Sequence, residues 1–486
     1  MKAAILAEKP KRPPTMTPRS ALLSLIALAI PTVPAALAVG PADPFQTEAL
    51  APPRPLLTPL ADATSAPCPA PAATTIYGVL EVVDLALCQN PRTREAWASA
   101  RAQAALVGLA QSDFLPGVDG RLSTTRVRND GRNGSQYNVS LTLSWLLYDF
   151  GARAANVEVA RQLLSAASAT LDATVQDVFL AAVAAYYNAQ ATRAAVGAAR
   201  ESEKASRASL SAAEVRYQVG SGTPADRLLA QTAWSQTTLD RIRAEGALRN
   251  ALGTLANVMG LDANVPLRLA DLPEASPDTA FERDLEALIG EARQRRPDLK
   301  AAEAQENAAQ ANVRYARAAG QPTLSLGAGP AWVGGRSAGN SIDSYNNSLG
   351  LTLTLPLFSG FSTTYAIRAA QARAEVASAQ RESVRLQVAL DVWTTYQSLV
   401  TATQAIRTTA DLLASAEQSH KVALGRYRAG VGSVLDVLNA QSALASARLQ
   451  RIQATLDWNV FRAALAKAVG TLDSSLLNPA SETRTP

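Results

Sequence analysis

The chemistry open to this chain is that of a few carboxylates and two cysteines, because its 486 residues include a single histidine, His420. Asp226 and Asp436 close two copies of one pattern, R-Y-x-x-G-x-G-x-x-x-D. It is written Arg216-Tyr217-x-x-Gly220-x-Gly222-x-x-x-Asp226 and, 210 residues on, Arg426-Tyr427-x-x-Gly430-x-Gly432-x-x-x-Asp436. A carboxylate placed just after a Gly-rich turn can cap a helix by accepting backbone N–H groups. Where several such carboxylates meet, they attract cations and hinder one another's ionisation. The other routes to chemistry are closed. One histidine with Cys68 and Cys88 cannot assemble a zinc, iron–sulfur or haem ligand set. No serine or cysteine lies in a nucleophile motif and no G-x-x-x-x-G-K-[ST] loop occurs. Gly220-Ser221-Gly222 has no strand before it and is no phosphate loop. The expectation is a chain without catalytic set, metal or cofactor, whose energy comes from a partner, and His420 reads as a solvated helix-surface residue.

Charge narrows the class further. The chain carries 46 Lys plus Arg against 41 Asp plus Glu. Residues 1–38 hold Lys2, Lys9, Lys11, Arg12 and Arg19 against Glu8, so 41 basic residues face 40 acidic ones over the rest. The basic excess belongs to a leader, and nucleic acid is not an expected partner. In that leader Arg19 precedes the apolar run Ala21–Ile30, and Ala36-Leu37-Ala38 ends a small-residue stretch. Basic segment, short apolar core and A-x-A site read as a signal peptide over 1–38, with Met16 an alternative start. Export to an oxidising compartment favours a disulfide between Cys68 and Cys88 over two free thiols. Residues 39–75, rich in Pro and Ala, read as an extended, poorly packed lead-in.

The elements that carry the two aspartates repeat as well. At an offset of 210, Leu239, Arg241, Ile242 and Gly260 match Leu449, Arg451, Ile452 and Gly470; upstream, at 206, Asn90-Pro91 matches Arg296-Pro297 and Pro116 matches Pro322. Two tandem units follow, 76–270 and 286–473, with a linker at 271–285 and a tail at 474–486. Each begins with an Ala-rich helix, 92–113 or 298–319, that stops before Pro116 or Pro322. A hairpin comes next, over 117–148 and 323–358. In 137–147 the odd positions are Tyr137, Val139, Leu141, Leu143, Trp145 and Leu147, with polar residues between, and Leu349 to Leu357 repeat the alternation. Leu324, Leu326, Ala328 and Trp332 alternate before a Gly-rich loop at 334–340, and Asp130 to Gly134 is turn chemistry. Proline-free helices over 152–217 and 362–427 would each run about 100 Å. They turn back at the two Gly-rich patterns, and Leu248-Leu252-Leu255-Met259 and Leu449-Ile452-Leu456-Val460 offer coiled-coil seams.

Strands of ~9–11 residues with one apolar face suit a bilayer. Four strands cannot close, so a membrane role demands eight strands from two copies or twelve from three. A small soluble sheet on the helices is the other reading. Phe114, Tyr148, Phe150, Phe358 and Phe361 at one end and Tyr137, Trp332 and Tyr345 at the other suit interfacial girdles.

With the two-unit plan, the Pro116 and Pro322 junctions, the strand exits Leu147-Tyr148-Asp149-Phe150-Gly151 and Leu355-Pro356-Leu357-Phe358-Ser359-Gly360, and the paired turns, residues 76–473 resemble the TolC family of outer-membrane channel proteins. The resemblance implies a homotrimer: a twelve-stranded β-barrel in outer-membrane lipid, continued by a twelve-helix α-barrel across the periplasm. It implies export with a periplasmic adaptor and an inner-membrane ABC or proton-driven pump. Residues 86–91, Ala-Leu-Cys-Gln-Asn-Pro, and 110–116, Ala-Gln-Ser-Asp-Phe-Leu-Pro, further resemble the branch serving type I protein secretion, including CyaE-like toxin exporters. Protein secretion is slightly favoured over multidrug efflux. In the family the helical turns form a periplasmic gate. The resemblance places there Asp226, Asp436, Asn439 one turn beyond Asp436, and Tyr217 and Tyr427 as latches, with Gly220, Gly222, Gly430 and Gly432 as hinges. Family members carry an aspartate where Asn439 stands and a latch arginine where Gly432 stands, so this ring is weaker. For Asp226, after Thr223-Pro224, gate and cap readings stand level; Asp436, deeper in its helix, favours the gate. An exported coiled-coil scaffold or adhesin is the competing class, and it leaves the two hairpins unexplained.

Overall fold

A computed structural model describes residues 43–53, 75–129, 132–271, 284–337 and 340–472. The leader, Cys68, most of the lead-in, the hairpin-tip residues Asp130 and Gly131, and the tail lie outside the described residues. The chain divides into a unit Met1–Gln46, of which only the turn at Asp43–Gln46 is described, and a unit Thr47–Pro486. Every helix and strand among the described residues belongs to the larger unit.

It opens with one helical turn, α1 (Thr47–Leu50), and a two-residue strand β1 (Ile76–Tyr77). Helices α2 (Val79–Gln89) and α3 (Pro91–Ser112) follow. The sequence expectation has only the second of these. The joint between them is an Asn-Pro step: proline fits a first helical turn but drives the residue before it out of the helical region. Asn90 sits there at ψ 129°, its side chain accepting from Arg92 N at 2.9 Å and donating to Val258 O at 2.9 Å. In the described part of the lead-in, Pro52 O accepts from the Trp97 indole of α3 at 3.1 Å.

Two strands, β2 (Gly117–Asn129) and β3 (Arg132–Tyr148), lead to α4 (Ala152–Gln218), which turns back into α5 (Pro224–Val258). A short strand β4 (Arg268–Leu269) pairs parallel with β1. The plan then recurs: α6 (Leu285–Arg295), α7 (Pro297–Ala318), β5 (Thr323–Ser337), β6 (Asn340–Thr354), α8 (Ser362–Arg428) and α9 (Val434–Val469). Helices α4 and α8 have 67 residues each, about 100 Å at 1.5 Å per residue.

The strands form one antiparallel sheet in the order β2-β3-β5-β6. Its register gathers apolar side chains on one face over the middle of the sheet. Leu122 pairs with Val139, Val139 with Trp332 and Trp332 with Tyr345; one level down the chain Val118 pairs with Leu143, Leu143 with Ala328 and Ala328 with Leu349. The opposite face carries Arg121, Ser140, Ala331 and Asn346 in one row. The apolar face lies open, with Leu122 75% and Leu349 78% exposed. Among the described residues no strand covers the outer edge of β2 or β6.

Three boundaries differ from the sequence expectation. β5 runs on through Gly334 and Gly335 to Ser337, so the Gly-rich stretch is mostly strand; the backbone of Ser135 and Gln136 comes so close that a Cβ on Gly335 would lie 2.1 Å from Ser135 O. β6 stops at Thr354, paired with Thr323, so Leu355 and Leu357 leave the sheet; Pro356 cannot donate to a ladder and Pro322 ends the facing strand. A bulge at Leu147 breaks the alternation where β3 meets the helices.

The helices pack into two successive layers. Near the sheet the order is α3, α4, α7, α8; beyond it, α5, α4, α9, α8. The principal cores sit where the layers meet: Val82, Val83, Val183, Tyr186, Leu255 and Met259 in one, Leu288, Val388, Val392, Leu399 and Trp458 in the other. Each fully buried aliphatic there is worth ~1.5–3 kcal/mol. Gly260 and Gly470 end α5 and α9 with φ of 76° and 82°. A Cβ on Gly260 would meet Gln89 O at 2.7 Å, so these glycines let a helix end close onto the X-Pro joints. Of the proposed seams, Leu255 and Met259 are buried, but Leu449 is half exposed, and α9 uses Ala447, Ala454 and Trp458 instead. Alanine lets backbones approach, and the longer chains are left flanking the contact. Among the described residues no helix is long and apolar enough to cross a membrane.

Candidate gate at the helical tips

Each long helix ends in a turn whose two glycines have separate tasks. Gly220 and Gly430 stand at φ 77° and 78°, the left-handed conformation that ends a helix cheaply only without a Cβ. The turn then closes back: Ser221 N and Gly222 N donate to Arg216 O at 2.9 and 3.0 Å, and Val431 N to Arg426 O at 3.0 Å. Gly222 and Gly432 are needed for room. A Cβ there would lie 3.1 Å from Arg216 Cβ and 3.0 Å from Tyr427 N, respectively.

Asp226 and Asp436 are both the third residue of the returning helix, each in a reciprocal capping box. Thr223 Oγ1 accepts from Asp226 N at 3.1 Å while Asp226 Oδ2 accepts from Thr223 N at 3.2 Å and from the Thr223 hydroxyl at 2.7 Å. Ser433 Oγ accepts from Asp436 N at 3.1 Å, and Asp436 Oδ2 accepts from Ser433 N at 3.2 Å. Asp436 is therefore no deeper in its helix than Asp226, a correction to the sequence reading. The residues before it, Gly430 to Ser433, are turn, and Ser433 does the work of Thr223. The hydrogen bonds from the Ser433 backbone and hydroxyl hold the Asp436 carboxyl below the usual aspartate range, against slight desolvation and with help from the Arg426 charge. Capping leaves Asp436 exposed and one of its oxygens outside the box. Asn439 is exposed beside it, and both line a groove of about 560 Å³ with Gln418, Val422 and Arg426.

The two tyrosines are not equivalent. Tyr427 is 6% exposed, packed with Leu210, Ala213, Ala230, Val434 and Val437. The Arg216 guanidinium lies 4.0 Å from its ring centre and donates to its carbonyl. Gln441 of α9 reaches Ser209 Oγ of α4 at 2.8 Å, tying the same seam. Tyr217 is 40% exposed, with the Arg227 guanidinium 5.0 Å from its ring centre.

Pro116 and Pro322 lie between α3 and β2 and between α7 and β5. Beside the first is a group that the sequence reading missed. Arg153 in the first turn of α4 donates through Nε to Asp149 Oδ2 at 3.0 Å, through Nη1 to Asp113 O at 3.2 Å and through Nη2 to Leu147 O at 3.3 Å, 4.6 Å above Phe114. Burial pushes the Asp149 carboxyl up, but hydrogen bonds from Arg153 and Gly151 and the guanidinium charge outweigh it and leave the carboxyl below its ordinary value. The available signal was an Asp and an Arg four apart straddling a strand-to-helix boundary. At an offset of 210 residues stand Ser359 and Thr363, whose hydroxyls lie 3.3 Å apart.

His420 departs from the sequence expectation of a solvated surface residue. It is half-buried, its Nε2 has no hydrogen-bond partner among the described residues, and desolvation, with the Arg448 charge, lowers its pKa. Cys88 lies in the last turn of α2, and its proposed partner Cys68 is outside the described residues. Among the described residues no three His, Cys, Asp or Glu side chains gather where a metal could bind.

Comparison with known proteins matches this arrangement. The family described as outer membrane efflux protein matches residues 82–261 and again 288–471. Protein CyaE of Bordetella pertussis is 35% identical over 428 residues, covering 86% of this chain and 89% of that protein. Outer membrane protein TolC of Escherichia coli is 24% identical over 410 residues, covering 81% and 82%. Among solved structures, the outer-membrane channel OprN is similar at a TM-score of 0.72 and 23% identity, over 81% of this chain and 90% of that one.

Proposed function

We propose that this chain, which belongs to the outer membrane efflux protein family, is the passive exit duct of a three-part export machine, built as a homotrimer. It is a transport channel of the outer membrane with its helical tunnel in the periplasm. Channels of this family work with a periplasmic adaptor and an inner-membrane pump. The observation that supports closure by several copies is the sheet, with four strands, an apolar face and two edges open among the described residues; the number three follows the family likeness. An open edge in lipid leaves backbone groups unpaired at several kcal/mol each. Three copies, joined β6 to β2, close twelve strands around the polar face.

At the far end the same symmetry gathers Asp226 and Asp436 from each copy, six carboxylates around the periplasmic mouth, with Asn439 beside them and Tyr217 and Tyr427 at the seams. Such a ring favours cations and resists crowding. The turns that carry it are the hinges, and the repeat of the R-Y-x-x-G-x-G-x-x-x-D pattern supports reading the chain as two tandem units.

For cargo, the likeness to CyaE over most of both chains, with the segments at 86–91 and 110–116, favours protein secretion energised by an ABC pump. Mass measurement of the detergent-extracted protein tests the assembly: three copies are expected, and a stable monomer would sink the barrel. A strain lacking the chain tests the cargo. Loss of a secreted polypeptide at unchanged drug susceptibility is expected, and the opposite pattern would overturn the secretion reading in favour of efflux.

A further inference from the structure

Register sorts the charged residues of the sheet into two groups. Asp119 and Arg121 of β2 alternate with the polar face, paired with Thr142 and Ser140. Arg126, Arg128 and Arg336 belong to the apolar face. Arg126 pairs with Ser135 and Ser135 with Arg336, in the alternation of Leu122, Val139 and Trp332. Arg126 stands two residues past the Thr124–Tyr137 pair, ~7 Å along the strand, and Arg336 four past Trp332, ~13 Å. The apolar stretch from Leu324 to Trp332 covers ~27 Å of strand, ~20 Å in height at a 40° tilt. The three guanidinium groups therefore sit just outside the apolar belt and its aromatic rim, at the hairpin-tip end.

All three arginines are exposed and none forms an ion pair among the described residues. The acid on the same face, Asp343, is level with Gly334, and its Oδ1 accepts the Trp332 indole N–H at 2.8 Å. The helix end of the sheet is different. Its apolar face ends in Val118, Trp145, Leu324 and Leu353, and the arginine nearby, Arg153, is held by Asp149, Asp113 and Leu147.

We propose that Arg126, Arg128 and Arg336 form a docking band for the phosphate-bearing headgroups of lipids in the outward leaflet. The chemistry is specific to that partner. Guanidinium binds phosphate through two parallel hydrogen bonds, while the neighbouring Leu122, Val139 and Trp332 take the acyl chains of the same molecule. Charge at this level and on this face serves no lumen function, because the side chains point away from the polar face. The band rests on the reading that the sheet spans the outer membrane with its hairpin tips outward.

The test uses the purified assembly in detergent, with diphosphoryl lipid A as the probe, read by native mass spectrometry. The parent is expected to retain lipid A, and the triple variant Arg126→Gln, Arg128→Gln, Arg336→Gln to bind it about a hundredfold more weakly, at about fivefold per arginine. Arg121→Gln, on the polar face, should bind as the parent does. Lysine at the three positions should restore part of the affinity, which separates lost charge from a misfolded barrel. Inorganic phosphate at equal concentration should fail to displace the lipid. Equal lipid A affinity in parent and triple variant, both recovered from the outer membrane, overturns the band alone. A parent that does not fractionate with the outer membrane overturns the spanning reading with it.

Discussion

Arg153→Ala should loosen the joint between the first hairpin and α4 far more than any single change at the equivalent joint of the second. The substitution removes three hydrogen bonds and the stacking on Phe114, and it strands the Asp149 carboxylate, which is 6% exposed. Breaking one side of a buried ion pair costs ~3–5 kcal/mol. Asp149 keeps the backbone N–H groups of residues 153 and 151, at 2.8 and 3.2 Å, so the lower end, about 3 kcal/mol, is expected. Ser359→Ala removes one neutral contact of 3.3 Å, a loss of ~0.5–1 kcal/mol. Urea unfolding of the detergent-extracted protein, followed by far-ultraviolet circular dichroism, measures both. The pair also has an acid signature. Because the folded Asp149 pKa lies below its ordinary value of ~3.9, its contribution is complete above that value and is lost as pH falls below it. The parent should lose stability over that range, and Arg153→Ala should lose less. Equal losses in Arg153→Ala and Ser359→Ala, or a loss below about 1 kcal/mol in the former, would refute a junction held by this pair.

Three further outcomes are expected. Asp226→Asn and Asp436→Asn should lower cation preference in planar bilayers to a similar degree, since both occupy the same capping box. Acid should mimic the Asp436 change as its carboxyl titrates, the Ser433 hydrogen bonds lowering that pKa and the neighbouring carboxylates of the ring raising it; unchanged reversal potentials at low salt would remove both from the gate. Gly432→Ala should disturb the second turn, as the new methyl would press on the backbone at Tyr427 N, and faster proteolysis at residues 429–433 is the readout; a rate equal to the parent's would show that the turn has slack. Mass spectrometry of unreduced, exported protein should find Cys68 joined to Cys88, and two free thiols would rule the bridge out.

The sequence by itself carried everything that depends on neighbours along the chain. Helices expected over 152–217 and 362–427 run Ala152–Gln218 and Ser362–Arg428, because proline-free, Ala-rich stretches bounded by glycine need only local hydrogen bonds. Alternation in 137–147 matches the two faces of β3 up to the bulge at Leu147, since a period of two is a property of one strand. Pro116, Pro322 and the four turn glycines were legible for the same reason. The extent of β5 and β6 was less so, because glycine inside a strand and apolar residues beyond its end look like loop and strand until a partner strand sets the register. Tertiary structure alone decided what distant segments share. It chose β3 next to β5, joined the two hairpins into one sheet, and set α4 against both α5 and α9. It buried Tyr427 under Arg216, 211 residues away, while its twin Tyr217 stayed exposed. It also brought Asp113, Leu147 and Asp149 around Arg153, and half-buried His420. Such choices follow from which surfaces exclude water together, and identical motifs in two repeats cannot reveal that their surroundings differ.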